Sequence, residues 1–383
     1  MKICLITGIF PPDSGGPATY VPKIAYELTK KRHEVIVITL SDNIYHSDSK
    51  YPFEVLRIKR SIFKPLRILQ TIQQIIKVGR KSDLLFVNGL AIEAVLANIV
   101  LRKPMAQKIV GDWAWERARN QGIINDNLEE FQRRRYSRKV EFFKKLRTFS
   151  TKKADIVVTP SEYLQKIVSG WGVNGNHIKV IYNAIEDSVN PHQESPTKVR
   201  EDLGPSEYIV VTAGRLVPWK GIDQLIEVVS QVDNINLVII GDGPEEDNLR
   251  SLSVKLGLKD TVKFTGRLSQ LGVLRYLRAA DAFVLNSTYE GLPHIVLEAM
   301  SVDTPVIATR VGGAPEIIED GVNGILIQPN NQTQLKEAIE QVLRDEGLRK
   351  GLVKNARERL RRFSWENLVN KTLHLLEEVG GTK

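Results

Sequence analysis

Short aliphatic runs recur along this chain, and most of them have no polar face. Residues 35–38, Val-Ile-Val-Ile, and 283–286, Phe-Val-Leu-Asn, are examples. A strand that is apolar on both sides must be covered on both sides, which suits a parallel sheet between two helical layers. In the first half the runs predict strands at 3–8, 34–40, 84–88, 108–111, 156–160 and 179–182, with helices at 18–31, 92–101 and 162–169. In the second half they predict strands at 209–213, 236–241, 262–265, 282–286, 306–309 and 324–327, with helices at 222–232 and 334–345 among others. The alternation is played twice over 383 residues, more than one ordinary core holds. The expected fold class is therefore α/β, with two Rossmann-like doubly wound domains. The polar, proline-bearing stretch 187–204 is the expected linker, and Ser364 is placed to cap a last helix.

Composition narrows the function classes. The chain has one cysteine, Cys4, inside an apolar run, so it forms no intrachain disulfide and reads as a buried strand thiol. No run approaches the roughly 20 apolar residues of a membrane span, and the expected location is the cytoplasm. Charge is uneven. Residues 1–190 carry 31 Lys and Arg against 18 Asp and Glu, whereas the whole chain is +9. The basic first half is suited to an anionic partner.

Three segments carry chemistry, and each follows a predicted strand. The first is 286–300, Asn-Ser-Thr-Tyr-Glu-Gly-Leu-Pro-His-Ile-Val-Leu-Glu-Ala-Met. Pro293 fits the first turn of a helix, so Glu290 falls in the loop before it and Glu298 inside it. Unpaired N–H groups at the helix start suit a phosphate, and the flanking carboxylates suit vicinal hydroxyls. The second is 212–223, Thr-Ala-Gly-Arg-Leu-Val-Pro-Trp-Lys-Gly-Ile-Asp, where Arg215 and Lys220 offer two cations to a diphosphate. The third is 8–18, Gly-Ile-Phe-Pro-Pro-Asp-Ser-Gly-Gly-Pro-Ala, where Gly15 and Gly16 let backbone approach a ligand. Each segment alone also has a bland reading: a capped helix, two surface cations, a turn.

Together with 154–164, 180–186, Ile-Gly-Asp-Gly-Pro-Glu at 240–245, Phe-Thr-Gly-Arg at 264–267 and Thr-Pro-Val-Ile-Ala-Thr-Arg-Val-Gly-Gly-Ala-Pro-Glu-Ile at 304–317, these segments resemble the retaining glycosyltransferases of the GT-B fold, family 4. The resemblance covers nearly the whole chain. It implies an acceptor-binding domain over 1–192, a nucleotide-sugar domain over 204–363, a central cleft that the two domains face, and a final helix, 364–380, packed back on the first domain. It implies that Glu298 binds ribose hydroxyls and Glu290 binds the transferred sugar. Arg215 and Lys220 would hold the diphosphate, with Gly15 and Gly16 closing over it. Gly291, Leu292, Pro293, His294, Ile295 and Val296 would contact sugar and phosphate, and Leu268 would lie near the base. No cofactor and no metal are expected beyond a UDP- or GDP-linked sugar as co-substrate. The leaving phosphate would take the acceptor's proton, so that the protein supplies position and charge.

One departure from the family pattern stands out. A histidine commonly follows the fourth strand of the first domain, but this chain reads Lys-Ile-Val-Gly-Asp-Trp-Ala-Trp-Glu over 108–116. The aligned position is Asp112, or Gly111. Asp112 is a candidate catalytic residue that orients a sugar hydroxyl or the acceptor, and it equally suits a helix cap before Trp113. The segment after the third strand is also changed, to Val-Asn-Gly-Leu over 87–90. His33, His46, His177, His192 and His374 read as surface residues.

The expected acceptor is a glycan or a lipid-linked glycan. Cations alternate with Phe, Leu and Ile over 131–147 and 56–67, as in segments that rest on anionic membrane. A solvated helix face explains the same pattern. Three other functions compete. A nucleotide-sugar epimerase of the same fold would need no acceptor. Nucleic-acid binding is permitted by charge, but no zinc spacing, aromatic RNA-binding signature or recognition-helix motif is present. A nicotinamide dehydrogenase lacks its Gly-x-Gly-x-x-Gly.

Overall fold

The computed structural model describes residues 1–13, 15–185, 196–203 and 206–381. Two compact units emerge. The first contains Met1–Ile181 and the chain from Leu368 onward, and the second contains Tyr182–Asn367.

The first unit opens with β1 (Lys2–Thr7), α1 (Gly16–Lys30), β2 (Glu34–Ser41), β3 (Glu54–Lys59), α2 (Lys64–Gly79), β4 (Leu84–Asn88), α3 (Ala91–Leu101) and β5 (Met105–Lys108). It continues with α4 (Trp113–Asn120), α5 (Leu128–Arg133), α6 (Arg138–Lys152), β6 (Ile156–Thr159), α7 (Glu162–Ser169) and β7 (Ile178–Val180). Its seven strands are all parallel, in the order β3-β2-β1-β4-β5-β6-β7. Cys4 sits fully buried in β1, and burial pushes its thiol up to about 12.

The second unit has α8 (Pro196–Leu203), β8 (Tyr208–Ala213), α9 (Ile222–Val229), β9 (Ile235–Ile240), α10 (Glu246–Lys255), β10 (Val262–Gly266), α11 (Gln270–Ala279) and β11 (Ala282–Leu285). Then come α12 (His294–Ser301), β12 (Val306–Thr309), α13 (Ala314–Ile317), β13 (Ile325–Ile327), α14 (Gln332–Arg344) and α15 (Glu346–Leu360), while the last helix, α16 (Trp365–Gly381), belongs from Leu368 onward to the first unit. The six strands of the second unit are parallel, in the order β10-β9-β8-β11-β12-β13. Successive residues feed opposite cores. Ile209, Val211 and Ala213 join one cluster, and Val210 joins the other with Leu237, Ile239 and Val284. This two-sided burial is what the unbroken apolar runs require.

Several expectations need correction. Part of the linker expected at 187–204 is helical: 196–203 form α8, whose Arg200 pairs with Asp281 at 2.8 Å, while 186–195 and 204–205 lie outside the described residues. The second unit already begins at Tyr182, so the expected boundaries at 192 and 204 move toward the N-terminus. The strand expected at 108–111 lies at Met105–Lys108, where Gln107 and Lys108 are buried despite their polarity. β3 and α2 occupy the region read as one amphipathic segment. His33 is buried rather than on the surface, 3.3 Å from Glu377 of α16, and His192 lies outside the described residues. Ser364 accepts from the Asn367 N–H at 3.3 Å, and α16 runs from there.

Candidate functional site

In an open parallel sheet, ligands bind where the strand order reverses, beyond the carboxyl ends of the strands. In the second unit that point lies between β8 and β11. The loops leaving these two strands hold the segments 214–221 and 286–293.

Their geometry follows from sequence. Gly221 has φ +57°, and a Cβ there would stand 2.3 Å from the Asn286 carbonyl oxygen. Only glycine allows this approach of the two loops. Asn286, buried, then donates Nδ2 to the Gly221 carbonyl at 2.9 Å, and the Thr288 N–H donates to Trp219 at 2.8 Å. The loops are thus bolted together, and Lys220 and Glu290 meet. Lys220 Nζ donates to Glu290 Oε1 at 2.5 Å, and Ser287 Oγ donates to the same oxygen at 2.6 Å. Glu290 is only 8% exposed, and its Oε2 has no partner among the described residues. Arg215 is exposed on the same loop as Lys220, without an ion pair among the described residues.

Pro293 is the N-cap of α12, and no side chain caps that helix. Its free N–H groups and its dipole favour an anion. Glu298 lies in α12. Its Oε1 accepts from Gln270 Nε2 at 3.0 Å and stands 3.5 Å from His294 Nδ1, while Oε2 is left without a partner among the described residues. Leu268, half-buried, precedes Gln270 in the loop after β10. The Gly291 and Leu292 backbone is held from two sides. A Cβ at Gly313 would come within 2.3 Å of the Gly291 carbonyl oxygen, and Asn183 Nδ2 donates to the Leu292 carbonyl at 3.2 Å. Ile295 is half-buried and Val296 fully buried.

The second unit therefore gathers Arg215, Lys220, Leu268, Glu290, Gly291, Leu292, Pro293, His294, Ile295, Val296 and Glu298 around one sheet edge. Gly15 and Gly16 belong to the first unit, exposed at the start of α1, where Gly15 has φ +135°.

Asp112 is a correction. It is fully buried as the N-cap of α4. Oδ1 accepts from the Ala114 and Trp115 N–H groups, and Oδ2 accepts from Gln132 Nε2 at 3.0 Å and from Arg147 Nη1. Arg147 in turn lies over the Trp171 ring, 4.0 Å from its centroid. Both carboxylate oxygens are consumed, so this residue joins α4, α5 and α6 and does not present itself to a ligand. Among the described residues no group of three or more His, Cys, Asp or Glu gathers as a metal site.

Sequence reasoning missed Ser287 and Gln270, which orient the two carboxylates. Ser287 lay in the quoted segment. Gln270 had no signal, because its partner is 28 residues away on another helix.

Comparison with known proteins adds the decisive observation. The family model described as Glycosyltransferase Family 4 matches residues 14–189, and that described as Glycosyl transferases group 1 matches residues 195–359. The chain is a GT-B-fold glycosyltransferase. This glycosyltransferase is 29% identical to an uncharacterized glycosyltransferase of Methanocaldococcus jannaschii, over 98% of this chain and 97% of that one. It is 36% identical to the lipopolysaccharide core biosynthesis glycosyltransferase LpsE of Rhizobium meliloti, over 44% of this chain and 49% of that protein. Among solved structures, HepE of Anabaena in complex with UDP and glucose superposes with a TM-score of 0.82 at 23% identity, covering 99% of this chain and all of that one. Sucrose-phosphate synthase of Thermosynechococcus elongatus also gives 0.82, at 21% identity over the full length of both chains. These likenesses share the fold of the glycosyltransferase: two units, each a parallel sheet between helices.

Proposed function

We propose that the glycosyltransferase moves a hexosyl unit from a UDP- or GDP-linked sugar to a glycan or lipid-linked acceptor, with retention at the anomeric carbon. One observation carries this reading. At a single sheet edge two carboxylates, Glu290 and Glu298, each have one oxygen held and one oxygen without a partner among the described residues, beside Lys220, Arg215 and an uncapped helix start. Hydroxyl-rich, diphosphate-bearing ligands need that combination. The relative HepE is described in complex with UDP-glucose and LpsE by its role in lipopolysaccharide core synthesis, which supports a nucleotide sugar and a lipid-linked glycan here.

In this reading Glu298 accepts ribose hydroxyls and Glu290 accepts hydroxyls of the sugar. Lys220 spends one of its three donors on Glu290 and keeps two for phosphate oxygens. Arg215 and the N–H groups of His294 and Ile295 take the rest of the diphosphate. The bond from the anomeric carbon to the phosphate oxygen breaks, the acceptor oxygen bonds to the same face, and its proton passes to the departing phosphate. Charge stabilisation of the leaving group does the work.

The partner and location are read more finely from the first unit. α2 packs beside α3 and α3 beside α6, in one layer. Their outward faces expose Phe63, Leu66, Leu69, Ile99, Val100 and Phe142 among Lys64, Arg102, Arg138 and Lys145. This face differs from the one expected. In the segment 56–67, Arg57 is tied to Asp48 and Arg60 to Asp13 and Asp42, while Arg147 at the end of 131–147 is buried. Apolar side chains ringed by exposed cations suit an anionic lipid surface, on the cytoplasmic side of a membrane. No helix among the described residues is long and apolar enough to cross one.

A thermal-shift screen of UDP-, GDP- and ADP-hexoses, followed by NMR of the anomeric coupling in the product, tests the chemistry. Stabilisation by one nucleotide series and retained anomeric configuration are expected. Conversion of donor alone into an epimer would favour the epimerase reading. Co-sedimentation with phosphatidylglycerol vesicles tests the membrane face, and equal sedimentation of wild type and Phe63→Asp/Leu66→Asp would remove it.

A further inference from the structure

The ring of His294 stands between two acceptors. Its Nε2 is 2.9 Å from the Ala184 carbonyl oxygen, and a carbonyl only accepts, so Nε2 carries a hydrogen. Its Nδ1 is 3.5 Å from Glu298 Oε1, one turn further along α12. The same oxygen receives the Gln270 amide. With both ring nitrogens protonated, the imidazolium and the Gln270 amide hold Glu298 through one oxygen from two sides, and the other oxygen is aimed.

Ala184 belongs to a short segment with fixed neighbours. Asn183 donates to the Leu292 carbonyl at 3.2 Å, just before α12. The Ile185 N–H donates to Phe363 at 2.9 Å, and the Trp365 N–H donates to Ile185 at 3.0 Å. These are the stretches next to the points where the chain passes between its two compact units, after Ile181 and after Asn367. Within the second unit these two stretches are thus joined to each other, and through Asn183 and His294 to the start of α12.

We propose that His294 is a positioning residue that sets the free oxygen of Glu298 toward the ribose hydroxyls and fastens it to the segment Asn183–Ile185. This rests on the reading of Glu298 as the ribose-binding carboxylate. The side chain of His294 then holds the donor site from behind, while its backbone N–H remains available to phosphate. Removing the ring leaves Glu298 with Gln270 alone, and the carboxylate regains rotamers that do not face the ligand. Removing the ring does not touch Lys220 or the uncapped helix start, so the diphosphate keeps its contacts.

The test is a thermodynamic cycle by calorimetry, with UDP and 2′,3′-dideoxy-UDP, and with GDP and its dideoxy analogue as the second pair. Wild type is expected to prefer the nucleotide with hydroxyls. In His294→Ala that nucleotide should weaken about tenfold or more while the dideoxy analogue changes less than about twofold. A merely structural role would weaken both alike, and equal losses would overturn the proposal. Two conservative variants separate the bonds. An asparagine amide reaches roughly where Nδ1 stands and a glutamine amide where Nε2 stands, so His294→Asn should retain more hydroxyl preference than His294→Gln. The reverse order would also overturn it. A wild type blind to the hydroxyls overturns the reading of Glu298 instead, and Glu298→Ala then shows the same indifference.

Discussion

Lys220 Nζ and Glu290 Oε1 stand 2.5 Å apart although 70 residues separate them in the chain. The pair forms where the loops after β8 and β11 converge, and Ser287 secures the same oxygen. A cation on one loop and a carboxylate on the other are each held in one place by the neighbour's charge, in a setting with little water to screen them.

Breaking this pair from one side should cost more than removing it whole. Lys220→Met leaves the Glu290 carboxylate buried with Ser287 alone, and a stability loss of about 3 kcal/mol is expected in urea unfolding. The double variant Lys220→Met/Glu290→Gln should regain most of that stability and none of the transferase activity. Additive losses would contradict the pairing.

Gly312 should tolerate no side chain. It has φ +55°, and a Cβ there would meet the Glu290 carbonyl oxygen at 1.8 Å. Gly312→Ala should push the loop of Glu290 aside and lower donor affinity at least about tenfold. Gly321→Ala is the control, because its φ of +73° carries the same backbone strain with nothing within 4 Å of the added carbon. It should lose about 1 kcal/mol of stability and keep its affinity. Equal effects of the two on donor binding would show that the contact is unimportant.

Asp112→Ala should damage folding and leave donor binding intact. It removes a helix cap and strands Arg147, whose own charge is already penalised by burial. A loss of about 3–5 kcal/mol is expected. Calorimetry on the folded fraction should return the wild-type nucleotide affinity. A stable variant with lost activity would restore Asp112 to the site.

Lys108 gives a pH dependence. It is buried in β5 with its ammonium 3.6 Å from the centroid of the Tyr20 ring, and burial pushes it down to about 7. The unfolded chain binds this proton up to about pH 10.4, so between about 7 and 10 the unfolded state holds more protons than the folded one. Stability from this group therefore rises with pH across that window, and its cost is greatest below 7. Lys108→Met should stabilise the protein near pH 7 by about 2 kcal/mol, after loss of the cation–π contact is counted, and the gain should shrink toward pH 10. A gain independent of pH would contradict the assignment.

The layers of the fold were legible because a strand covered on both sides has to be apolar throughout. β1, β2, β4, β8, β9 and β11 announce themselves in that way. β5 did not, since Met-Ala-Gln-Lys looks like surface, and the neighbouring Ile109-Val110 drew the reading away from it. β3 is an edge strand, and its Arg57 and the following Arg60 find carboxylates only after folding, so these cations read as free. The same limit governs the site. Glu290 and Glu298 were visible in one contiguous segment, and so were Arg215 and Lys220 in another. What each side chain does was not visible, because it depends on partners distant in sequence: Arg147 for Asp112, Gln270 for Glu298, Ala184 for His294.

The account stands on the second unit holding a nucleotide sugar through these residues. Calorimetric titration of UDP and GDP into wild type, Glu298→Ala and Lys220→Ala measures this directly. One nucleotide should bind wild type at a single site, and each variant should lose at least about tenfold in affinity while remaining folded. Unchanged affinity in both variants would place the donor elsewhere and contradict the account.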